Sequence, residues 1–237
     1  MAGRYPTTQV PITPEIARRM GAIVAGIHRA APDSQTTKLN DPPFTEQRWH
    51  DIANRIQDRV PAAAALLHEN ASLLAGVHDL TYHPAPPGNR KFSHGDLDHP
   101  GNVMLCGDGE LAVYDWDRPA DVTAEYELIG VAGGLARNPD NDVSEELLLA
   151  GIDGYFGAGG APIPVEPWIF GLTVDNWAKW AEHHTVLHRF DEEPHKFNPP
   201  TCVRTIERAI NLFRTIERKH EGWLGKIREL NETHSQA

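Results

Sequence analysis

The sequence predicts an α+β fold that is mainly helical, with one small β insert between two helical regions. Three observations predict it. Apolar residues recur at helical spacing over residues 16–27 and 49–56, and again from about 167 to 230. Residues 82–89, with three prolines and a glycine, interrupt that pattern. Soon after, Val103-Met-Leu-Cys106 and Leu111-Ala-Val-Tyr114 flank Gly107-Asp-Gly109, the pattern of a small hairpin.

Each element has its own local reason. Thr13 is a good N-cap, Pro14 suits the first helical position and Glu15 complements the helix dipole, so a helix starts there and runs to near Pro32. Ile16, Met20, Ile23, Val24 and Ile27 form its apolar face. A polar, proline-containing connection over residues 33–44 leads to a second helix from near Thr45, carrying Trp49, Ile52 and Ile56 inward. Pro61 restarts the chain into an alanine- and leucine-rich third helix over residues 62–77. Lys91-Phe-Ser93 is a short extended segment before the hairpin. Helices resume over residues 123–136, ended by Asn138-Pro139, and again behind Ser144 as N-cap with Glu145 and Glu146 in the first turn. After a loop over residues 157–164, three helical stretches close the chain: Pro167 to about Arg189, residues 201–220 and residues 223–230.

The length of 237 residues, with 40% hydrophobic and 23% charged content, suits a soluble globular protein. A formal charge of −11 argues against nucleic acid or an anionic membrane as partner, because both reward clustered Lys and Arg. Cys106 and Cys202 show no metal spacing and are too few for a disulfide framework. With no apolar signal core or membrane-length run, the expected location is the cytoplasm.

The chemistry concentrates between residues 94 and 117, where His94, Asp96, Asp98, His99, Asn102, Asp115 and Asp117 fall on loops beside short strands. Phosphoryl transfer needs a carboxylate to orient an attacking hydroxyl and oxygen ligands to hold Mg²⁺ against nucleotide phosphates. An aspartate, an asparagine soon after it and a second aspartate across a hairpin meet that need with oxygen donors alone. No Gly-x-Ser-x-Gly elbow is present, so a serine hydrolase has no support. Asp115 and Asp117 are two residues apart, an alternation that opposes a cooperating acid–base pair unless the strand has already ended.

His94-Gly-Asp96, then Asn102, then a strand ending in Asp115-Trp116, resembles the aminoglycoside phosphotransferase family of the protein-kinase-like fold. Met20-Gly-Ala-Ile-Val-Ala-Gly-Ile-His28 resembles the first helix of that family's C-terminal lobe, and Ala124-Glu-Tyr-Glu-Leu128 its acidic helix start after the metal aspartate. The resemblance implies a kinase-like C-terminal lobe over residues 1–237: N-terminal helices over 1–80, a catalytic loop and metal hairpin over 90–118, and a helical acceptor region over 120–237. It implies transfer of the γ-phosphoryl group from ATP or GTP, with Mg²⁺, to a hydroxyl of an aminoglycoside or other hydroxylated metabolite. Asp96 would be the catalytic base, Asn102 and Asp115 the metal ligands, and His94 a structural residue of the catalytic loop. Asp117 and Asp98 stand near enough to serve the metal or a cationic substrate. In the acceptor region Trp177, Trp180 and His184 are the candidate substrate contacts, with Asp175, Glu182, Asp191, Glu192 and Glu193 as acidic neighbours. The alternative reading of His183, His184 and His188 is a Zn²⁺ site at helical spacing.

The chain departs from the family pattern twice. Leu97, Asp98, His99, Pro100 and Gly101 place one residue more than the family's usual spacing between Asp96 and Asn102, and Pro100-Gly101 can absorb it as a turn. The β-rich N-terminal lobe, with its nucleotide-covering loop and strand lysine, has no counterpart: Gly157-Ala-Gly159-Gly160 follows a helix, and Lys38 and Lys91 lie in the wrong contexts. Three explanations stay open: a truncated chain, a lobe-less pseudo-kinase that binds without catalysing, or a lobe supplied by another polypeptide; the surface facing the missing lobe is the expected place for a homo-oligomer or partner contact.

Overall fold

The computed structural model describes residues 5–6, 11–34, 41–84, 86, 88–97, 102–106, 110–117, 119–185 and 199–236. The chain opens with β1 (Tyr5–Pro6) and α1 (Pro14–Ala30). The Thr13 hydroxyl accepts the Ile16 N–H at 3.3 Å and so starts α1. In the same way Thr45 accepts the Arg48 N–H at 3.2 Å and starts α2 (Glu46–Ile56). The next helix, α3 (Pro61–Thr81), packs on α2 and covers Trp49, Ile52 and Ile56, all fully buried.

The β part is larger than one hairpin. Strand β2 (Arg90–Ser93) is followed by β3 (Val103–Leu105), β4 (Leu111–Val113) and β5 (Ala120–Thr123). The expected hairpin is present as β3 against β4, and β1 adds to its other edge. The Gly107-Asp-Gly109 turn itself lies outside the described residues. The short extended segment before the hairpin finds a partner the sequence reading lacked: β2 pairs antiparallel with β5 over four residues, Arg90 opposite Thr123 and Ser93 opposite Ala120.

Helix α4 (Ala124–Ala136) follows β5 directly and is buried on nearly every side, against α1, α5 (Glu145–Gly157) and α6 (Gly171–Thr185). An all-round apolar helix belongs in a core. Between α1 and α5 the backbones touch: a Cβ on Gly21 would sit 1.9 Å from the Gly151 carbonyl oxygen, and one on Gly154 2.0 Å from that of Arg18. Glycine at these positions is a packing requirement.

The helical stretch expected from Pro167 begins as a 3₁₀ turn (Pro167–Phe170) and becomes α6, which is described to Thr185. Residues 186–189 of that expectation lie outside the described residues. The two separate closing helices are corrected to one, α7 (Pro199–Ser235). Gly222 and Gly225 each cost roughly 1 kcal/mol inside a helix. Trp223, Leu224 and Ile227 around them are buried, and each large apolar side chain gains about 1.5–3 kcal/mol on burial, which carries the helix through. No helix among the described residues is long and apolar enough to cross a membrane.

Candidate active site

Strand β2 delivers the chain into His94, whose side chain is fully buried. Its Nε2 lies 2.9 Å from the Tyr114 carbonyl oxygen. A carbonyl only accepts, so Nε2 is the donor; Nδ1 is buried without a hydrogen-bond partner among the described residues. The ring also packs on Trp116, centroids 4.6 Å apart. Every contact of His94 thus fixes the loop that follows it.

Gly95 adopts φ 80°, a left-handed conformation that glycine takes without strain. Its N–H donates to Glu127 Oε1 at 3.1 Å. The other oxygen of that carboxylate accepts the Ser93 hydroxyl at 2.6 Å and His28 Nε2 at 2.7 Å. His28 Nδ1 in turn meets the Tyr155 hydroxyl at 3.2 Å. One buried carboxylate in the first turn of α4, where the helix dipole favours negative charge, therefore ties α1, the end of β2 and the His94–Asp96 loop together. Sequence reasoning gave Glu127 no role of its own. The available signal was an acid in the first turn of a helix that is otherwise apolar all round. Its neighbour Glu125 is likewise buried, and accepts the Asn89 backbone and side-chain N–H groups, each at 3.1 Å.

Asn102 is brought to Asp96 despite the extra residue between them. Its Nδ2 donates to the Asp96 carbonyl at 2.8 Å and to Asp96 Oδ2 at 3.1 Å. Leu97 at the start of the insertion is buried in the core, while residues 98–101, including the candidate Asp98, lie outside the described residues. Across the hairpin Val103 faces Val113, and the Tyr114 N–H donates to the Asn102 carbonyl at 3.1 Å. The Tyr114 backbone is thereby hydrogen-bonded to both Asn102 and His94. Asp115, the next residue, leaves β4 at φ 66°, and Trp116 and Asp117 form a turn. The strand has ended by then, so strand alternation does not separate Asp115 from Asp117; both are exposed.

The oxygen donors at this end of the hairpin are the carboxylates of Asp96 and Asp115 and the amide oxygen of Asn102, whose nitrogen donates to Asp96. Oxygen donors only are what a hard cation such as Mg²⁺ takes, so the residues present fit it. Among the described residues no three His, Cys, Asp or Glu side chains gather into a metal centre. His188 of the alternative zinc reading lies outside them.

In the acceptor region the structure separates the candidates. Trp180 is half exposed on α6, with His183 stacked at 5.7 Å and His184 edge-on at 4.6 Å. Trp177 is engaged elsewhere: the guanidiniums of Arg137 and Arg208 lie 5.5 and 5.1 Å from its ring centre. Glu182 is held by Arg48 at 2.6 Å. Burial acts to raise the pKa of Asp175, but His78 at 3.6 Å and the Lys179 ammonium at 2.8 Å outweigh it and leave the carboxyl below its usual range. Asp191, Glu192 and Glu193 lie outside the described residues. Gly159, at φ 79°, ends α5, with its N–H on the Phe156 carbonyl at 2.8 Å, so the Gly157–Gly160 run is a helix terminus.

The model of the phosphotransferase enzyme family matches residues 1–165. No curated protein matches the chain by sequence. Among solved structures, a spectinomycin phosphotransferase in complex with ADP and spectinomycin is similar over 100% of this chain and 69% of its own, with TM-score 0.52 and 15% identity. A macrolide 2′-phosphotransferase from Brachybacterium faecium is similar over 82% of this chain and 60% of its own, with TM-score 0.46 and 18% identity. An aminoglycoside phosphotransferase from Alicyclobacillus acidocaldarius is similar over 93% of this chain and 68% of its own, with TM-score 0.49 and 13% identity.

Proposed function

The chain belongs to the phosphotransferase enzyme family, and from that premise we propose that it transfers the γ-phosphoryl group of ATP or GTP to a hydroxyl of a small molecule. The observation that carries this reading is the pair of hydrogen bonds from Asn102 to Asp96, at 2.8 and 3.1 Å, beside a Tyr114 backbone that also holds His94. It supports a base and two metal ligands sharing one end of the β3–β4 hairpin.

In this reading Asp96 orients the acceptor hydroxyl and takes its proton as the oxygen bonds to the γ-phosphorus and the bond to the leaving nucleotide oxygen breaks. Asn102 Oδ1 and Asp115 are the residues that would hold Mg²⁺, with Asp117, and Asp98 of the insertion, at its edge or at the substrate. Bound there, Mg²⁺ supplies neutralisation of phosphate charge. His94 and Glu127 keep the loop in shape and touch no reactant. Trp180 and His184 are candidate acceptor contacts; Trp177, a third candidate by sequence, is engaged by Arg137 and Arg208 instead. The acceptor is an aminoglycoside or another hydroxylated metabolite.

The second reading, a binding protein without catalysis, draws on Phe92 and Trp116, 47% and 50% exposed on either side of His94-Gly-Asp96. Such apolar surface beside the loop suits a second copy or a partner polypeptide. Calorimetry with Mg²⁺ and ATP or GTP, followed by label transfer from γ-labelled nucleotide to a panel of aminoglycosides, macrolides and small alcohols, separates the two. The first reading expects nucleotide binding that Asp115→Ala weakens and transfer that Asp96→Asn abolishes. Absence of binding at millimolar Mg²⁺ overturns it.

A further inference from the structure

A groove of about 920 Å³ lies between the starts of α3 and α7, remote from the catalytic loop. Helix α4 spans the separation: its first turn carries Glu127 at the loop, and its far end leads to Asp140 in the groove wall. Its thirteen residues cover about 20 Å.

The groove is basic in a chain of net charge −11. Arg59, Arg204, Arg208 and Arg214 line it against only two carboxylates, Asp140 and Glu207. Elsewhere several cations are paired with carboxylates: Arg18 with Asp153, Arg48 with Glu182, Lys179 with Asp175 and Lys226 with Glu145. Among the described residues, Arg204, Arg208 and Arg214 make no ion pair with a carboxylate. Arg214 donates instead to Asn70 Oδ1 at 2.6 Å, and Arg208 to Asn141 Oδ1 at 3.3 Å. Arg208 Nε is buried with no hydrogen-bond partner among the described residues. Burial, and then the adjacent Arg204 charge, hold the Arg208 guanidinium below its ordinary pKa. The Asp140 charge acts the other way on Arg208 without restoring its ordinary pKa, so two guanidiniums that repel each other are stabilised by an anion that arrives. The first turns of α3 and α7 add the positive ends of their dipoles. Pro61, Leu66, Pro200 and Val203 make the rest of the wall apolar.

We propose that this groove is a second ligand site that takes the phosphate monoester of a small organic molecule, its phosphate on Arg204, Arg208 and Arg214 and its organic part on the apolar wall. A phosphate monoester carries about −1.5 to −2 at neutral pH, and its oxygens suit the guanidinium forks of Arg204, Arg208 and Arg214. The site stands independently of the reaction proposed for the Asp96 loop.

Calorimetry with phenyl phosphate, inorganic phosphate and phenol at low ionic strength tests it. Phenyl phosphate should bind wild type and Asp115→Ala alike and bind more tightly than either fragment. Arg204 is exposed, so Arg204→Glu keeps the fold, which a thermal melt checks; Arg214→Glu, also at an exposed residue, is the second variant. Each should weaken phenyl phosphate about tenfold or more, the loss of a charge-assisted hydrogen bond. No binding at millimolar phenyl phosphate, equal binding by both variants, or loss in Asp115→Ala overturns the site. Inorganic phosphate binding as tightly as phenyl phosphate overturns the assignment of the apolar wall.

Discussion

His28 and Glu127 meet at 2.7 Å, imidazole Nε2 to carboxylate Oε2, with side chains 4% and 3% exposed. The same carboxylate holds Ser93 and the Gly95 N–H, so α1 and the His94–Asp96 loop share one anchor. Glu127→Ala leaves the buried His28 and Ser93 side chains, and the Gly95 N–H, without their partner and should cost about 3–5 kcal/mol, read from urea unfolding. Glu127→Gln fills the space but turns an N–H toward a donor, so it should lose less stability while the proposed transfer slows. An alanine variant within about 1 kcal/mol of wild type would falsify the anchor role.

Asp115 sits at φ 66°, where a side chain costs roughly 1–2 kcal/mol and glycine nothing. Asp115→Gly should therefore hold or raise the melting temperature, the residue being exposed, while Mg²⁺-dependent nucleotide binding falls. Calorimetry and a thermal melt on the same sample separate the two effects. A large loss of stability with metal binding intact would contradict the assignment.

Gly21→Ala would drive a methyl group to 1.9 Å from the Gly151 carbonyl oxygen, which belongs to a helix backbone and cannot step aside. The expected cost is about 1–3 kcal/mol or more. Gly26→Ala, in the same helix with nothing near its added Cβ, should stabilise by roughly 0.4–1 kcal/mol and serves as the comparison.

Burial, then the Glu125 charge, push the Tyr155 phenol up from its ordinary 10.0 to about 12. A raised pKa means the folded state holds the proton longer, so the stability it contributes is present below pH 10.0 and is lost as pH climbs through about 12. Tyr155→Phe should flatten that alkaline fall. Asp175 works in the opposite direction: its lowered pKa contributes stability above the ordinary 3.8 that disappears on acidification below it. Asp175→Asn should flatten the acid limb. Urea midpoints across both ranges check the pair, and parallel curves for variant and wild type would refute either.

Much of this fold was legible in the chain because its signals are local. Thr13, Thr45 and Ser144 each cap a helix within three residues, at 3.3, 3.2 and 3.4 Å, and need no distant partner to be recognised. The β3–β4 hairpin is equally local. Strand β5 was missed because four residues carry too little periodicity, and its partner β2 lies some thirty positions earlier. The α7 boundary was missed because Gly222 and Gly225 read as a break, while the burial that overrides them depends on α3, α5 and α6.

For the candidate site, the sequence by itself determined which chemistry is available: His94, Asp96, Asn102 and Asp115 in an order and spacing that resemble one family. Tertiary structure alone decided how those residues are held. Asn102 reaches Asp96 across an irregular insertion because the β3–β4 register and Tyr114 place it there. Glu127 becomes the anchor because it meets His28 from 99 positions away. The arginine groove exists only because α3 and α7 bring Arg59 and Arg204 to one wall. A capping bond is written in neighbouring residues; a carboxylate's partners and a guanidinium's lack of them depend on which distant segments burial brings together.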